Sequence, residues 1–239
     1  MWPIAAKLVQ ESISAPESWR QRGVRVLILY PMNALVADQV GRLRKMMGDR
    51  EGKFHAVCRE LGNNGRFPQF GMYTGRTPYY GNNDNKQNEK LAKTLLTDLI
   101  NISEESRASL ESINKIPAKK DLAKFAQQLK ADIHYTDPED AELITRQEML
   151  SNCPDVLITN YSMLQYMLIR STEQPIWDNT AAWLNSSPDN KILFVIDEAH
   201  MYKGAAGGEV ALLITQTSHT KTNQKASLNL NKCHPKKLN

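Results

Sequence analysis

The sequence predicts an α/β fold in which a mainly parallel sheet is covered by helices. Three short apolar runs, at 24–30, 155–159 and 192–196, are rich in Val, Ile and Leu and lack polar–apolar alternation. Strands buried on both faces have this composition, which is typical of parallel sheets. The first two runs each lead into a segment with apolar residues at helical spacing, as strand–helix units require.

Length and charge favour one globular domain. The chain has 239 residues, of which 41% are hydrophobic, enough for one sizeable core. Its formal charge is +4, from 30 basic and 26 acidic residues, but five of the lysines lie in the acid-free tail at 217–239. Because the rest of the chain then carries a slight negative excess, net charge does not indicate that the core binds nucleic acid.

Cysteine usage favours a reducing, cytoplasmic setting. Cys58, Cys153 and Cys233 are odd in number and form no C-x-x-C pair, which argues against a disulfide framework and a zinc site. No apolar run approaches the ~20 residues of a membrane span, and the amino terminus lacks the basic region of a signal peptide. The sequence therefore predicts no membrane association.

The first third of the chain predicts two helices around a strand. Residues 2–14 place apolar side chains at helical spacing. A strand at 24–30 follows and ends at Pro31, because proline cannot donate a hydrogen bond to a central ladder. A second helix is predicted at about 33–48.

The middle of the chain predicts a strand and then an insertion. A short helical stretch at 55–61 and a glycine–asparagine turn precede a strand at about 69–73. From about 82 to 149 the composition is polar, with leucines at helical spacing, which predicts a helical insertion. Solvated helices, a DNA-contacting arm and a partner surface are all compatible with this composition.

Two further strands are predicted in the last third. The strand at 155–159 leads into an amphipathic helix, for which Thr159 or Asn160 is the N-cap. Trp177 and Trp183 lie between this helix and the last strand. They are predicted to pack in the core, and stacking on bases is the alternative.

The most informative motif follows the strand at 192–196. Asp197, Glu198, Ala199 and His200 stand at its carboxyl end, where open α/β sheets bind ligands. In one interpretation Asp197 holds Mg²⁺ and Glu198 orients or deprotonates the attacking water of an NTPase. In the other, these acids only begin a loop or cap the next helix.

Three other polar turns share the same position after a strand or its continuation. They are YPMNALVADQ at 30–39, GMYTGRTPYYG at 71–81 and TNYSML at 159–164. Together with DEAH, these four motifs resemble, in order and in context, motif Ia, the glycine turn, motif Ib and motif II of superfamily 2 DEAD/DEAH-box helicases. Within that superfamily the chain is similar to bacterial DNA helicases of repair and phage-defence systems.

The resemblance implies the fold, the cofactors and the site residues. The fold would be an incomplete RecA-like three-layer domain over 1–216, with 217–239 as a disordered basic tail. ATP and Mg²⁺ are the implied cofactors, with Asp197 and Glu198 at the nucleotide, and His200 coupling the nucleotide state to the motor. A nucleic-acid backbone, DNA more than RNA, is the implied partner, contacted by Pro31, Asn33, Ala34, Thr74, Gly75, Arg76, Thr159, Asn160 and Tyr161. Arg76 and Tyr161 are equally compatible with plain turn or packing roles.

One element of the helicase pattern is missing from the sequence. No G-x-x-x-x-G-K-[ST] loop occurs, although in the family this loop opens the helix that precedes motif Ia. A second RecA-like domain is not predicted either. By itself, the chain is therefore expected to lack ATPase activity. The alternative class is a non-catalytic nucleic-acid-binding subunit, completed by helicase halves from neighbouring reading frames, or a remnant of a broken gene.

Overall fold

The computed structural model describes most of the first 197 residues. The described ranges are 2–31, 33–48, 53–63, 65–78, 94, 97–131 and 133–197, with only the backbone given for 33–37. The predicted glutamate and histidine of the DEAH motif, the basic tail and much of 79–96 lie outside these ranges.

Five parallel strands form the sheet, in the order β3-β2-β4-β1-β5. The strands are β1 (Val26–Tyr30), β2 (Phe70–Tyr73), β3 (Glu142–Leu143), β4 (Val156–Asn160) and β5 (Leu193–Ile196). In the central pair, Tyr30 of β1 lies opposite Asn160 of β4, and Leu29 lies opposite Ile196 of β5 on the other side. The carboxyl ends of these strands therefore meet at one edge.

Besides a helical segment at 97–101, nine α-helices connect the strands or extend from them in the described part of the chain. They are α1 (Trp2–Ser14), α2 (Pro16–Arg20), α3 (Asn33–Met47), α4 (Lys53–Glu60), α5 (Glu104–Ser112), α6 (Leu122–Lys130), α7 (Arg146–Ser151), α8 (Tyr161–Ile169) and α9 (Gln174–Ser186). A short 3₁₀ turn, Ser171–Glu173, links α8 to α9. No helix in the described ranges combines the length and apolarity that a membrane span needs.

The helices cover both faces of the sheet, which makes three layers. On one face, Ile28 and Ile158 pack with Leu8 of α1 and Leu43 of α3. On the other face, Leu27 and Leu157 pack with Met149 of α7, Leu164 of α8 and Trp177 of α9. Strand β1 contributes apolar side chains to both clusters along its whole length, as its unalternating apolar run predicted. The α/β, mainly parallel three-layer prediction is confirmed.

Local sequence signals also match the structure. Asn160 is the N-cap of α8, and its Oδ1 accepts a hydrogen bond from the backbone N–H of Met163 at 2.8 Å. Trp177 and Trp183 are 2% and 0% exposed, so both are packing residues as predicted. Strand β1 ends at Tyr30, directly before Pro31.

The segment predicted as a helical insertion contributes to both a satellite core and the sheet. Residues of α5 and α6 and the loops around them form a separate apolar cluster that includes Phe125 and Leu129. Near its end, however, β3 pairs with β2, and α7 belongs to the outer layer. Among the described residues, the helices that are inserted between strands of the sheet therefore end before Glu142. Its carboxylate accepts hydrogen bonds at 2.7 Å from Arg44, which joins the β3 strand to α3.

A buried charge cluster closes the amino ends of β1 and β4. The side chains of Arg25 and Asp155 are both 0% exposed, and Arg25 Nη1 donates to Asp155 Oδ1 at 3.0 Å. Arg25 Nε also donates to Glu11 of α1 at 2.9 Å. Arg66 donates to the same Asp155 oxygen at 2.8 Å. Two basic and two acidic side chains thus pair with one another at the amino ends of these strands.

Aromatic rings complete the surroundings of the Arg25 guanidinium. Its central carbon lies 4.6 Å from the ring centroid of Trp19 and 4.7 Å from that of Trp183. The indole N–H of Trp183 donates to Glu11 at 3.0 Å. A guanidinium between two ring faces gains cation–π attraction, which is strongest when water is excluded. The cluster therefore joins α1, α2, β1, β4 and α9.

We expect Arg25→Met to lower the free energy of unfolding by about 3–5 kcal/mol, because the substitution leaves Glu11 without its guanidinium and leaves buried Asp155 with Arg66 alone. Urea denaturation of the purified chain measures the change. Arg20→Met is the matched control, since the Arg20 side chain is 76% exposed and pairs with the equally exposed Glu17. Equal effects of the two substitutions would contradict a special role for Arg25.

The same cluster predicts how stability depends on pH. Burial by itself raises the pKa of Asp155, but the guanidinium groups of Arg66 and Arg25 outweigh it and hold the pKa below its usual range. The resulting stabilisation is fully present above the unfolded-state pKa of about 3.9 and is lost as the pH falls through the folded-state pKa. In urea denaturation, the stability gap between the wild type and Asp155→Asn should shrink below about pH 4. With exposed Asp189→Asn as the control, no such narrowing is expected.

Candidate functional site

The carboxyl edge of the sheet gathers the predicted motifs. Pro31 follows β1, Thr74 follows β2, Asn160 ends β4 and Asp197 follows β5. Across the sheet they lie in the order Thr74, Asn160, Pro31, Asp197, as the strand order requires. Three steps between strands of ~4.8 Å place the first and last about 14 Å apart. Segments far apart in the chain therefore form one continuous polar edge.

Asp197 is held at the end of β5 by the sheet itself. Its backbone N–H donates to the carbonyl of Leu29 at 3.0 Å, so the ladder between β1 and β5 continues into this residue. Its side chain lies near the phenol of Tyr30: burial raises the pKa of Tyr30 to about 12, and the Asp197 charge adds to the shift. A half-buried carboxylate at a strand end is the oxygen ligand that Mg²⁺ prefers.

The rest of the DEAH motif is not described. Glu198, Ala199 and His200 lie outside the described residues. Within those residues, no group of three or more His, Cys, Asp or Glu side chains is arranged to hold a metal ion. Asp197 is thus one candidate ligand, whose oxygens are of the right kind for Mg²⁺.

A hydrogen-bonded turn follows β2. The backbone N–H of Thr74 donates to the Thr77 hydroxyl at 2.8 Å, and that hydroxyl donates to the carbonyl of Met72 at 2.6 Å. The N–H of Arg76 donates to the Thr74 hydroxyl at 3.2 Å. Thr74 is consequently buried, whereas Gly75 and Arg76 are exposed at the tip of the turn.

Gly75 leaves open space at this tip. A Cβ built on it meets no atom within 4 Å, and its backbone does not adopt the left-handed region that favours glycine. The fold therefore does not itself require glycine here. A glycine that the fold does not need is compatible with close approach of a ligand to the backbone.

Arg146 and β4 hold this turn in place. Arg146, the first residue of α7, donates from Nη2 to the Thr74 carbonyl at 3.0 Å, and its backbone N–H donates to Pro78 at 2.9 Å. Thr159 donates its hydroxyl proton to the carbonyl of Tyr73 at 2.6 Å. Thr159 is 0% exposed, so its side chain joins two strands and does not face solvent.

A buried tyrosine–glutamate pair supports the same region, and no sequence motif predicted it. The Tyr73 hydroxyl donates to Glu173 Oε1 at 2.8 Å. Burial, and then this hydrogen bond, raise the pKa of Tyr73 above its usual range. Glu173 lies in the 3₁₀ turn between α8 and α9, with no motif around it. Only the packing of α9 against the sheet brings it to the end of β2.

The remaining predicted contacts fall at helix starts. Asn160 and Tyr161 are half-buried at the beginning of α8. Asn33 and Ala34 form the first turn of α3, and their side chains lie outside the described residues. The first backbone N–H groups of a helix lack partners within the helix and attract anions. Helices α3 and α8 thus both begin at this edge, and in α8 the N–H of Met163 already donates to the Asn160 side chain.

The described residues define a three-layer α/β protein whose polar turns gather at the carboxyl edge of a parallel sheet, where such proteins bind their ligands. No protein-family model matches the chain, and no solved structure matches it. Among curated proteins, the chain is similar to the Druantia protein DruE of Escherichia coli (strain UMEA 4076-1). The identity is 41% over 240 residues, covering 90% of this chain and 13% of that protein. The chain thus spans about an eighth of the length of this relative.

Proposed function

We propose that the chain forms part of an ATP-dependent nucleic-acid helicase, with DNA as the substrate, that acts in a phage-defence system. The observation that carries the proposal is that Pro31, Thr74, Asn160 and Asp197, one residue from each of the four motif-like segments, lie along one carboxyl edge of the sheet. The similarity to a Druantia protein supports the phage-defence setting. The proposal concerns the part of the helicase that these residues supply.

The nucleic-acid contact in this proposal is made by exposed groups of the edge. Arg76 supplies a guanidinium for phosphate oxygens, and Gly75 lets the DNA strand come close to the protein backbone. The start of α3 supplies further backbone N–H donors. Such groups hold the sugar–phosphate chain and do not discriminate bases, as a translocating motor requires. Buried Thr74 and Thr159 act by shaping the turn and not by direct contact.

The nucleotide side of the proposal depends on Asp197. Its carboxylate would hold Mg²⁺, with Glu198 orienting water and His200 coupling the site to the motor. When bound, Mg²⁺–ATP supplies the phosphoryl group, and the metal neutralises charge on the β- and γ-phosphates. The ladder bond to Leu29 sets the position of Asp197 relative to β1. A nucleotide at Asp197 would therefore lie beside the motif Ia turn.

Binding of labelled single-stranded DNA at low salt tests the edge. We expect weak binding, with Kd about 10⁻⁴ to 10⁻⁶ M, and a steep salt dependence. Arg76→Ala should weaken binding several-fold and lower the salt slope by about 0.7, the value for one phosphate contact on a single strand. Gly75→Ala should weaken binding, because the added methyl group keeps the DNA strand away from the protein backbone. It should not change the free energy of unfolding, because the Cβ points into open space.

Two controls keep this measurement specific. Arg20→Ala removes an exposed arginine of α2 at the opposite end of the strands and should leave the affinity unchanged. Replacing Lys221, Lys225, Lys232, Lys236 and Lys237 with glutamine removes the tail charge. Binding that disappears with the tail lysines, or that ignores both Arg76→Ala and Gly75→Ala, would show that the edge does not hold DNA.

ATP turnover by the chain alone provides a separate test of the proposal. Because the sequence has no lysine-bearing phosphate loop, we expect no Mg²⁺-dependent ATPase above background, with or without single-stranded DNA. A phosphate-release assay measures this. Turnover abolished by Glu198→Gln, but not by Glu104→Gln in the exposed first turn of α5, would show that the chain is a complete ATPase. DNA binding without ATP hydrolysis is also what the alternative of a non-catalytic subunit requires.

A further inference from the structure

An apolar groove lies on the outer surface of α1, α3 and α4. Its described apolar lining consists of Trp2, Met46, Phe54 and Val57, around a volume of about 640 Å³. Trp2 is 75% exposed and Val57 is 50% exposed. The groove includes none of the strand-end turns. Contiguous exposed apolar surface of this kind marks an interaction site more often than a single exposed side chain does.

Helix α4 carries an apolar stripe that reaches from the core to the surface. Cys58 is buried, and Phe54 is half-buried and packs against the core. Val57 and, just after the helix, Leu61 are 50% and 56% exposed. Phe54, Val57 and Leu61 stand at positions i, i+3 and i+7, so the outer edge of the stripe runs along the helix.

The stripe continues to the far end of α1. A Cβ built on Gly62 would lie 4.0 Å from the Cγ2 of Ile13, so the turn after α4 adjoins this side chain. Trp2 and Ile13 bound the stripe at its two ends and are separated by about 16 Å along α1, at ~1.5 Å per residue. That length matches about three turns of a docked helix.

The described residues that line the groove carry three cations and no acid. Arg42, Lys45 and Lys53 line its Trp2 end. Asp38 pairs with Arg42 at 3.2 Å, so Lys45 and Lys53 give the positive balance among the described charges of this rim. An occupant should therefore carry carboxylates where it meets this end.

We infer that this α1–α4 groove docks an acidic amphipathic helix of a partner protein. Apolar side chains of the helix at i, i+3, i+4 and i+7 would cover the stripe, and its carboxylates would meet the cationic rim. Single-stranded nucleic acid fits less well, because most of the stripe is aliphatic and the cations lie at one end only. Stacking platforms instead need successive aromatic rings along a charged groove.

Tryptophan fluorescence of the full chain tests the inference directly. Trp19, Trp177 and Trp183 are at most 2% exposed, so changes in emission and in acrylamide quenching report on Trp2. The probe is a synthetic peptide of about 15 residues, long enough for three to four helical turns, with leucines on one face and glutamates elsewhere. We expect it to shift the emission to the blue and to protect Trp2 from acrylamide.

Paired variants locate the binding surface. Val57→Asp should weaken peptide binding by about ten-fold or more, since it places a charge in the apolar stripe. Ile133→Asp, at a 51% exposed isoleucine outside the groove, should not weaken it. Lys45→Glu should weaken the acidic peptide and strengthen a lysine-substituted version, whereas Arg20→Glu should do neither. Circular dichroism verifies that each variant is folded.

Three outcomes would overturn the inference. The first is no protection of Trp2 by the acidic peptide, or protection that Val57→Asp does not change. The second is protection by a single-stranded oligonucleotide in place of the peptide, which would assign the groove to nucleic acid. The third is concentration-dependent self-association, measured by sedimentation, that Val57→Asp abolishes, which would make the occupant a second copy of the chain.

Discussion

The buried guanidinium of Arg25 is the interaction on which the rest of the fold depends. It lies without solvent between Trp19 and Trp183 and is neutralised by Asp155 and Glu11. A buried ion is tolerable only when its partners are all in place, because losing one leaves an uncompensated charge. The cluster therefore couples the positions of α1, α2, β1, β4 and α9. Its main consequence is a defined alignment of the two central strands.

Anchoring and chemistry occupy opposite ends of those strands. The amino ends are fastened by the charge cluster, while the carboxyl ends carry polar turns that can meet a ligand. A parallel sheet separates the anchored end from the ligand-facing end, because all its strands begin at one edge and end at the other. The turn after β2 is itself braced, by Arg146 at the Thr74 carbonyl and by Thr159 at the Tyr73 carbonyl. Gly75 and Arg76 are thus presented on a fixed support.

The outer helices serve the fold and leave surface for recognition. Helix α4 reaches the core through His55 and Cys58, whereas Val57 remains half-exposed and lines the groove with Trp2. The groove and the carboxyl edge consist of different residues, so binding at one need not occupy the other.

Much of the fold could be predicted from local patterns. The apolar runs located β1, β4 and β5, and the residue types around 160 located the cap of α8. The order of the motifs also predicted that Asp197 would follow a strand, as it does, but the prediction that this strand is fully buried was wrong, because β5 stands last in the strand order and is half-buried. The small strand β3 escaped prediction, because Glu142–Leu143 has no apolar run and its acid is neutralised by Arg44, a distant residue.

The sequence by itself determined which segments become strands and helices, and which polar residues follow each strand, because these depend on spacing and on neighbouring residue types. Only the tertiary structure decided which of those residues face solvent. Thr159 faces inward since the neighbouring strand offers a carbonyl, and Arg76 faces outward since its turn projects beyond the sheet. Likewise, Glu173 meets Tyr73 across 100 positions of sequence. Contacts between distant segments depend on packing in three dimensions, about which local pattern carries no information.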